Sequence, residues 1–393
     1  MTDPLGQSQV LPYLSGLSKL GYSFHLISFE KQDKLKLHRK HIQQICDEAG
    51  IVWHPQDYTF GGLKRTILQV RKMLTVADYL FERHHFQLIH CRSYISALAG
   101  VRLKHKYKVP FLFDMRGFWA DERVDGKLWN LSNPLYKRIY KYFKHKEKIF
   151  LKDADAIVSL TSEGKKEMTK WNYINIENKT TVIPCCVNLE LFDSSLITDQ
   201  EKTKIKNDLN IDVSTKVLGY VGSIGTWYML DEMLEFYSIF RKHNEKSVFL
   251  FISGEDRLKL LEKARLYNIP DEEIIVRSVT HDQVASHISI FDLSVFFILP
   301  SYSKKASSPT KQGELMAMGI PIICNSGVGD TAEIIKKYDA GSVIDAFTKE
   351  DYNQALENLS LFNHETAING AFSYFSLKEG IERYQSIYKK LID

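Results

Sequence analysis

The sequence predicts an α/β protein of two domains, each built on a parallel, doubly wound sheet. Three observations carry that prediction. At 393 residues the chain is too long for one ordinary hydrophobic core; two or three domains follow from length, and two is the expectation adopted. Short apolar runs alternate with amphipathic stretches of helical period, the pattern of strands joined by crossover helices. Several runs end in glycine or polar residues, where open α/β sheets hold their ligands.

Composition narrows the class. A hydrophobic share of 44% and an aromatic share of 12% suit a soluble globular protein. No run approaches the ~18 apolar residues of a membrane span, and the opening Met-Thr-Asp-Pro-Leu-Gly lacks the basic start and apolar core of a secretory signal. Cys46, Cys91, Cys185, Cys186 and Cys324 are odd in number and hold no Cys-x-x-Cys pair. They read as reduced thiols of a cytoplasmic protein, neither a disulfide frame nor a zinc site. The net charge of +4 hides an asymmetry: residues 1–193 hold 30 Lys+Arg against 20 Asp+Glu, and residues 194–393 hold 22 against 28. The first half is expected to face something anionic, nucleic acid or a membrane surface.

In chain order, residues 1–8 are polar and turn-rich, residues 9–20 read as a helix with Val10, Leu11, Leu14, Leu17 and Leu20 on one face, and residues 22–29 read as a strand. A doubly wound sheet ordinarily opens with a strand, yet only the loop of residues 3–8 precedes this helix. Either the natural start lies upstream or the domain has lost its first strand; a sheet lacking its central strand is hard to stabilise, so a shortened start is expected. The loop's small residues, Gly6 among them, would admit a substrate close to the helix terminus, or form a simple turn. Helices at 34–49 and 64–83 flank a short strand at 51–54. Residues 88–93 and 110–119 each read as a buried strand ending in polar groups, which sets His90, Arg92, Asp114 and Arg116 at strand carboxyl ends. There they line a site or form structural ion pairs.

Residues 136–152 carry seven basic residues interleaved with aromatic and aliphatic ones, opposed only by Glu147. This is either an interfacial helix for an anionic membrane or a core helix with a solvated lysine face. Nucleic acid is not expected, because no recognition fold surrounds the helix. A strand at 155–161, a helix at 165–171 capped by residues 161–163, and a strand at 181–184 complete the first domain, residues 1–193. Polar residues 193–208 read as the linker.

The second domain, residues 209–371, opens with a strand and the turn Gly222-Ser223-Ile224-Gly225. Its glycines free the backbone to bend near a phosphate. Strands at 248–253, 274–277 and 293–299 alternate with helices at 231–243, 258–267 and 282–291, and Asp330 and Glu333 are spaced as a capping pair. Residues 372–393 form a closing amphipathic helix that includes Tyr374, Phe375, Tyr384 and Tyr388.

The most informative stretch is residues 299–325. It predicts a strand ending near Pro300, a polar loop, a short helix opening at Ser308-Pro309, a stop at Gly319 and a strand at 320–324. The amides of Ser308, Thr310 and Lys311 would form an anion cradle, to which Lys311 adds a full charge. Glu314 lies roughly 9 Å further along the axis at about 1.5 Å per residue, the order of a diphosphate-to-ribose separation.

Ser308-Pro309-Thr310-Lys311-x-x-Glu314-x-Met316-Ala317-x-Gly319-x-Pro321 resembles the donor-site signature of retaining glycosyltransferases of the GT-B fold, in particular glycosyltransferase family 4. The resemblance implies two Rossmann-like domains facing each other across a cleft, with the closing helix crossing back to the first. It implies loop amides on the donor diphosphate, Glu314 on the ribose, Gly222 and Ser223 beside the distal phosphate, and the backbone near Val276-Arg277 on the base. Asp114-Met115-Arg116 resembles the family's acid-plus-arginine pair, with His90, Arg92 and Gly6 toward the acceptor. The chain departs from the pattern where Ala306 stands for the family's first glutamate, where Ser223 stands for the arginine of relatives with no lysine soon after it, and where Cys185-Cys186 and Val187-Asn188 stand for Asn-Gly and Val-Asp. The implied reaction moves a sugar from a nucleoside diphosphate sugar to an acceptor hydroxyl with retention, in surface polysaccharide or glycolipid assembly. Neither metal nor cofactor is expected. The protein is expected in the cytoplasm, peripheral at the inner membrane face, its acceptor lipid-linked. The alternatives are a non-catalytic nucleotide-sugar-binding homologue and a sugar-nucleotide epimerase.

Overall fold

The computed structural model describes residues 1–59, 61–171, 173 and 176–392. The chain forms two compact units, one of Met1–Cys186 with Leu377–Asp393 and one of Val187–Ser376.

In the first unit, α1 (Pro4–Gln9) and α2 (Leu11–Lys19) precede β1 (Phe24–Glu30), followed by α3 (Gln32–Glu48), β2 (Ile51–Asp57), α4 (Leu63–Phe81), β3 (Ile89–Arg92), α5 (Ser93–Tyr107), β4 (Phe111–Asp114), α6 (Trp119–Asp125), α7 (Pro134–Asp153), β5 (Ala156–Ser159), α8 (Ser162–Lys170) and β6 (Thr180–Val182). The strands form two parallel sheets, β1-β2 and β3-β4-β5-β6. β4 and β5 are buried throughout, as strands covered on both faces must be, and read accordingly as continuous apolar runs.

Residues 3–8 are not the expected loop. Pro4 sits in the first turn of α1, where its fixed φ favours a helix. The helix breaks at Val10 because Pro12, in the first turn of α2, has no N–H to continue the ladder. Gly6 is buried: a β-carbon there would lie 2.6 Å from the Met1 α-carbon, so the missing side chain makes room for Met1 and not for a substrate. The Glu30 carboxylate accepts from the Met1 ammonium, the Thr2 N–H at 2.9 Å and hydroxyl at 2.6 Å, and the Ser28 hydroxyl at 2.5 Å. Burial alone would raise its pKa, but these bonds outweigh burial and hold it at about 2.

The second unit continues with α9 (Asp199–Asp208), β7 (Lys216–Val221), α10 (Leu230–His243), β8 (Ser247–Ile252), α11 (Arg257–Arg265), β9 (Ile274–Arg277), α12 (Val284–Ile288), β10 (Leu293–Phe296), α13 (Thr310–Ala317), β11 (Ile322–Asn325), α14 (Thr331–Lys337), β12 (Gly341–Ile344), α15 (Lys349–Glu357) and α16 (His364–Gly370). Its six strands are all parallel in the order β12-β11-β10-β7-β8-β9. The order reverses between β7 and β10, which opens a crevice beyond their carboxyl ends.

Residues 193–208 are not a free linker. Thr198 and Glu201 form a reciprocal capping box on α9, and Phe192 and Ile211 are buried in the second unit's core. The chain changes unit at Cys186/Val187 and again at Ser376/Leu377. Residues 371–375 form a π turn of the second unit, and α17 (Leu377–Ile392) packs Tyr384, Ile387 and Tyr388 into the first unit's core with Tyr13 and Leu17. Asp330 holds the N-cap position of α14 but makes no side-chain capping bond there; it accepts from the Tyr374 hydroxyl at 2.6 Å. Among the described residues no helix is long and apolar enough to cross a membrane.

Gly219 in β7 gives a direct test of core packing. A β-carbon there would lie 2.0 Å from the Phe291 ring, so Gly219→Ala is expected to destabilise by about 3 kcal/mol, measured as a lowered urea midpoint at unchanged slope.

Candidate functional site

The crevice of the second unit is built from two chain segments. β7 ends in the turn at Gly222, whose φ of 106° is a left-handed value suited to glycine. The turn is held by the Gly222 N–H on the Ile252 carbonyl at 3.0 Å, the Tyr220 hydroxyl on the Ser223 carbonyl at 2.7 Å and the Ile224 N–H on Glu255 at 3.1 Å. Ser223 itself is exposed. After β10, the Ile298 N–H and carbonyl are both bonded by the Asn325 side chain, at 2.8 and 2.9 Å. A 3-10 turn, Tyr302–Ala306, then leads to α13.

The helix starts one residue later than expected: Pro309, extended at φ −70° and ψ 119°, is its N-cap, and Ser308 lies outside it. The amides of Thr310 and Lys311 therefore head the helix, where no intrahelical carbonyl can reach them. α13 is buried from Lys311 onward. Gln312 ties it to α14 through a 3.1 Å bond to the Thr331 carbonyl, and Gly319, at φ 65°, follows its end.

Lys311 is the central feature. Only 6% exposed, its ammonium lies 3.8 Å from the ring centres of both Tyr220 and Tyr228 and 3.4 Å from where a Gly222 β-carbon would stand. Among the described residues it has no hydrogen-bond partner. Ring faces attract a cation but accept none of its three N–H bonds. Burial pushes its pKa well below the ordinary lysine value, an effect that Glu314 opposes. Glu314, one helical turn along, is itself pushed up to about 7 by burial, tempered by Lys311. An anion at Gly222 would satisfy the ammonium and restore its charge. Gly222, Thr310, Lys311 and Glu314 are thus brought to one crevice. Ala306 is buried.

The first unit gathers a second polar group. Arg92 ends β3 directly opposite Asp114 at the end of β4. The buried Asp114 carboxylate accepts from the Tyr384 hydroxyl at 3.0 Å and lies 3.7 Å from His90, 3.6 Å from Arg92 and 4.0 Å from Arg116. Burial would raise its pKa; Arg116 first, then His90 and Arg92, hold it at about 2. Arg116 takes a left-handed φ of 57°, sparsely populated for a non-glycine residue, and donates to the Cys185 sulfur at 3.2 Å. His90 Nδ1 meets the Tyr388 hydroxyl at 2.8 Å, and Arg92 donates to the Gln9 carbonyl at 3.1 Å. Asp114 Oδ1, Arg116 Nη1 and His90 Nε2 are buried without a hydrogen bond among the described residues. Nothing in the sequence assigns a role to Tyr220, Tyr228 or Cys185; the four-residue spacing of Tyr384 and Tyr388 is the one signal that both face the same way from a helix.

α7 turns Phe143, Glu147, Phe150 and Leu151 inward. Glu147 is bonded by Lys144 at 2.6 Å and by the Tyr94 hydroxyl. Its outward side holds Lys137, Arg138, Lys141, Lys148 and Lys152, with Tyr142 47% exposed among them.

Residues 8–191 match the family described as Glycosyltransferase Family 4, and residues 201–365 the family described as Glycosyl transferases group 1; between them they span most of the chain. No curated protein matches. Among solved structures the chain is similar to a glycosyltransferase from Rickettsia africae ESF-5, at 17% identity and a TM-score of 0.72 over 99% of this chain and 96% of that one. It is similar to sucrose-phosphate synthase from Thermosynechococcus elongatus at 15% and 0.70, over 94% and 98%. It is also similar to the Anabaena protein HepE solved with UDP and glucose, at 11% and 0.68, over 100% and 98%. At these identities the likeness is one of fold.

Proposed function

On the premise that this chain is a glycosyltransferase of the GT-B fold resembling family 4, we propose that it moves a sugar from a nucleoside diphosphate sugar to an acceptor hydroxyl with retention of anomeric configuration. The observation that carries the donor assignment is the buried, unbonded ammonium of Lys311 at the β7/β10 reversal. As the sugar–phosphate bond breaks, charge develops on the departing diphosphate. A preorganised cation and helix-terminal amides stabilise that charge most strongly where water is excluded. Lys311 with the Thr310 and Lys311 amides takes this role, while Gly222 and Ser223 flank the distal phosphate. Glu314 accepts from the ribose hydroxyls. Ligand charge would lower its pKa only if cations outweigh the phosphates, so hydrogen bonding to the ribose is what this site offers it.

Asp114 and Arg116 position the sugar or acceptor, with His90 and Arg92 beside them, and the three unbonded buried atoms there support a polar ligand. Because Lys311 supplies positive charge to the diphosphate, the reading calls for no metal. The five basic residues on the outward side of α7 support docking on an anionic membrane surface, and with it a lipid-linked acceptor in surface polysaccharide or glycolipid assembly. Ala306 and Ser223 favour one second reading, a nucleotide-sugar-binding homologue without turnover.

A thermal-shift panel of nucleoside diphosphates and their sugars tests the donor site. A ligand at a hundredfold excess over its Kd stabilises by about 2.7 kcal/mol, so one base should raise the Tm of the wild type and leave Glu314→Ala unmoved. No shift in either protein removes the donor assignment. Binding with no sugar released or transferred, across acceptors, selects the second reading.

A further inference from the structure

The diphosphate proposed for the second unit's crevice carries a charge on each of its phosphates, and Lys311 answers only one. The turn after β7 adds no cation: residues 222–228 include no lysine or arginine, and the Ile224 N–H there is held by the Glu255 carboxylate. A second lysine is nonetheless buried in the same unit. Lys304, in the 3-10 turn between β10 and α13, is 5% exposed, and its ammonium lies 3.7 Å from the centre of the Trp227 ring.

Backbone bonds fix both partners at the carboxyl end of the sheet. The Trp227 carbonyl accepts from the Leu299 N–H at 2.9 Å, and the Met229 N–H donates to the Phe297 carbonyl at 3.0 Å, which ties the turn after β7 to the segment after β10. The Lys304 N–H donates to the Ser301 carbonyl at 3.1 Å, and the Lys304 carbonyl accepts from Gly329, in the loop after β11, at 2.9 Å. The backbone of Lys304 is thus anchored toward β11, while its ammonium reaches the neighbour of Tyr228, whose own ring holds Lys311. Because β10 lies between β11 and β7, the Lys304 side chain crosses the end of β10 toward the reversal where Lys311 stands.

Packing does not account for a lysine at this position. Leucine or methionine would cover Trp227 without taking an ammonium out of water. A ring face attracts a cation but accepts none of its N–H bonds, so Trp227 fixes the charge without using its donors.

We propose that Lys304 is the second cation of the donor site, held by Trp227 against the distal, sugar-bearing phosphate beside Gly222 and Ser223. The inference rests on the donor reading above and adds to it a binding residue and the residue that positions it. Two lysines, each set on aromatic rings, then match the two phosphates, and the positive charge comes from the segment after β10 and not from the turn after β7.

The test is calorimetric binding of the nucleoside monophosphate, diphosphate and diphosphate sugar of the base that stabilises the wild type. Lys304→Met keeps a side chain that packs on Trp227; it is expected to weaken the diphosphate and its sugar by about 10–100-fold, the range of a charged hydrogen bond, and the monophosphate by less than about threefold. Lys304→Arg should hold the diphosphate within about threefold of wild type, and Trp227→Leu should weaken it about two- to tenfold. Lys305→Met, next in the same turn, should bind as wild type does. Diphosphate binding that Lys311→Met weakens but neither Lys304→Met nor Lys304→Gln changes would overturn the inference and leave the donor reading standing. Equal weakening of all three ligands would make Lys304 a structural residue of its turn and overturn it as well. So would a loss confined to donors with an acidic sugar, the plain diphosphate binding as before. A wild type that binds no nucleoside diphosphate overturns both the inference and the reading beneath it.

Discussion

Lys311→Met is expected to lower kcat/KM for the donor by about 10²–10³-fold, a loss of roughly 3–4 kcal/mol of transition-state stabilisation, while the folded protein stays at least as stable. The two effects have one origin. Between Tyr220 and Tyr228 the Lys311 amino group has no hydrogen-bond partner, and holding it there without an anion costs free energy, whether as an unpaired cation or by driving off its proton. A thioether of similar length removes that cost, makes good contacts with aromatic rings, and leaves nothing to meet the diphosphate. Steady-state kinetics with the donor found by the thermal-shift panel, beside urea unfolding without ligand, separates the two. A variant that unfolds more easily yet turns over normally would make Lys311 a packing residue.

Asp114→Ala is expected to destabilise the first unit by about 3–5 kcal/mol, because it strands the buried Arg116 guanidinium. The double variant Asp114→Ala/Arg116→Met should recover part of that loss, and the cycle gives the coupling between the two. Acid adds a second signature. The Asp114 carboxyl is held at about 2 against an ordinary 3.8. A depressed carboxylate contributes stability above its unfolded value and loses it as pH falls through its folded one. The stability gap between wild type and Asp114→Asn should therefore be full at pH 7 and shrink between about pH 4 and pH 2. A gap that is constant with pH would mean that Asp114 titrates alike in both states.

Local chemistry was legible where one or two residues dictate the backbone. Pro309 and Gly319 bracket α13 because one fixes φ and the other adopts a left-handed turn, and the apolar runs at 111–114 and 156–159 could only be buried strands. The placing of Lys311 and Glu314 together was legible for the same reason: they share a helix whose ends the sequence marks. What escaped the sequence depends on contacts between distant segments. Nothing local says that Tyr220 and Tyr228 will hold the Lys311 ammonium, or that Cys185 will receive Arg116. The helix at Pro4 was misread because its polar residues mask the proline that starts it.

The first unit is discontinuous in the chain, its last helix arriving 190 residues after the rest. At about 5–20 residues per second a ribosome takes roughly 10–40 s to cover that interval. Through that time the faces of Tyr13 and Leu17 that α17 later covers are open, and Asp114 waits for Tyr384. The second unit, one uninterrupted segment, can complete itself first although it is made later. Birth order and folding order are thus inverted, and the nascent first half is the stage at which a chaperone has most to protect.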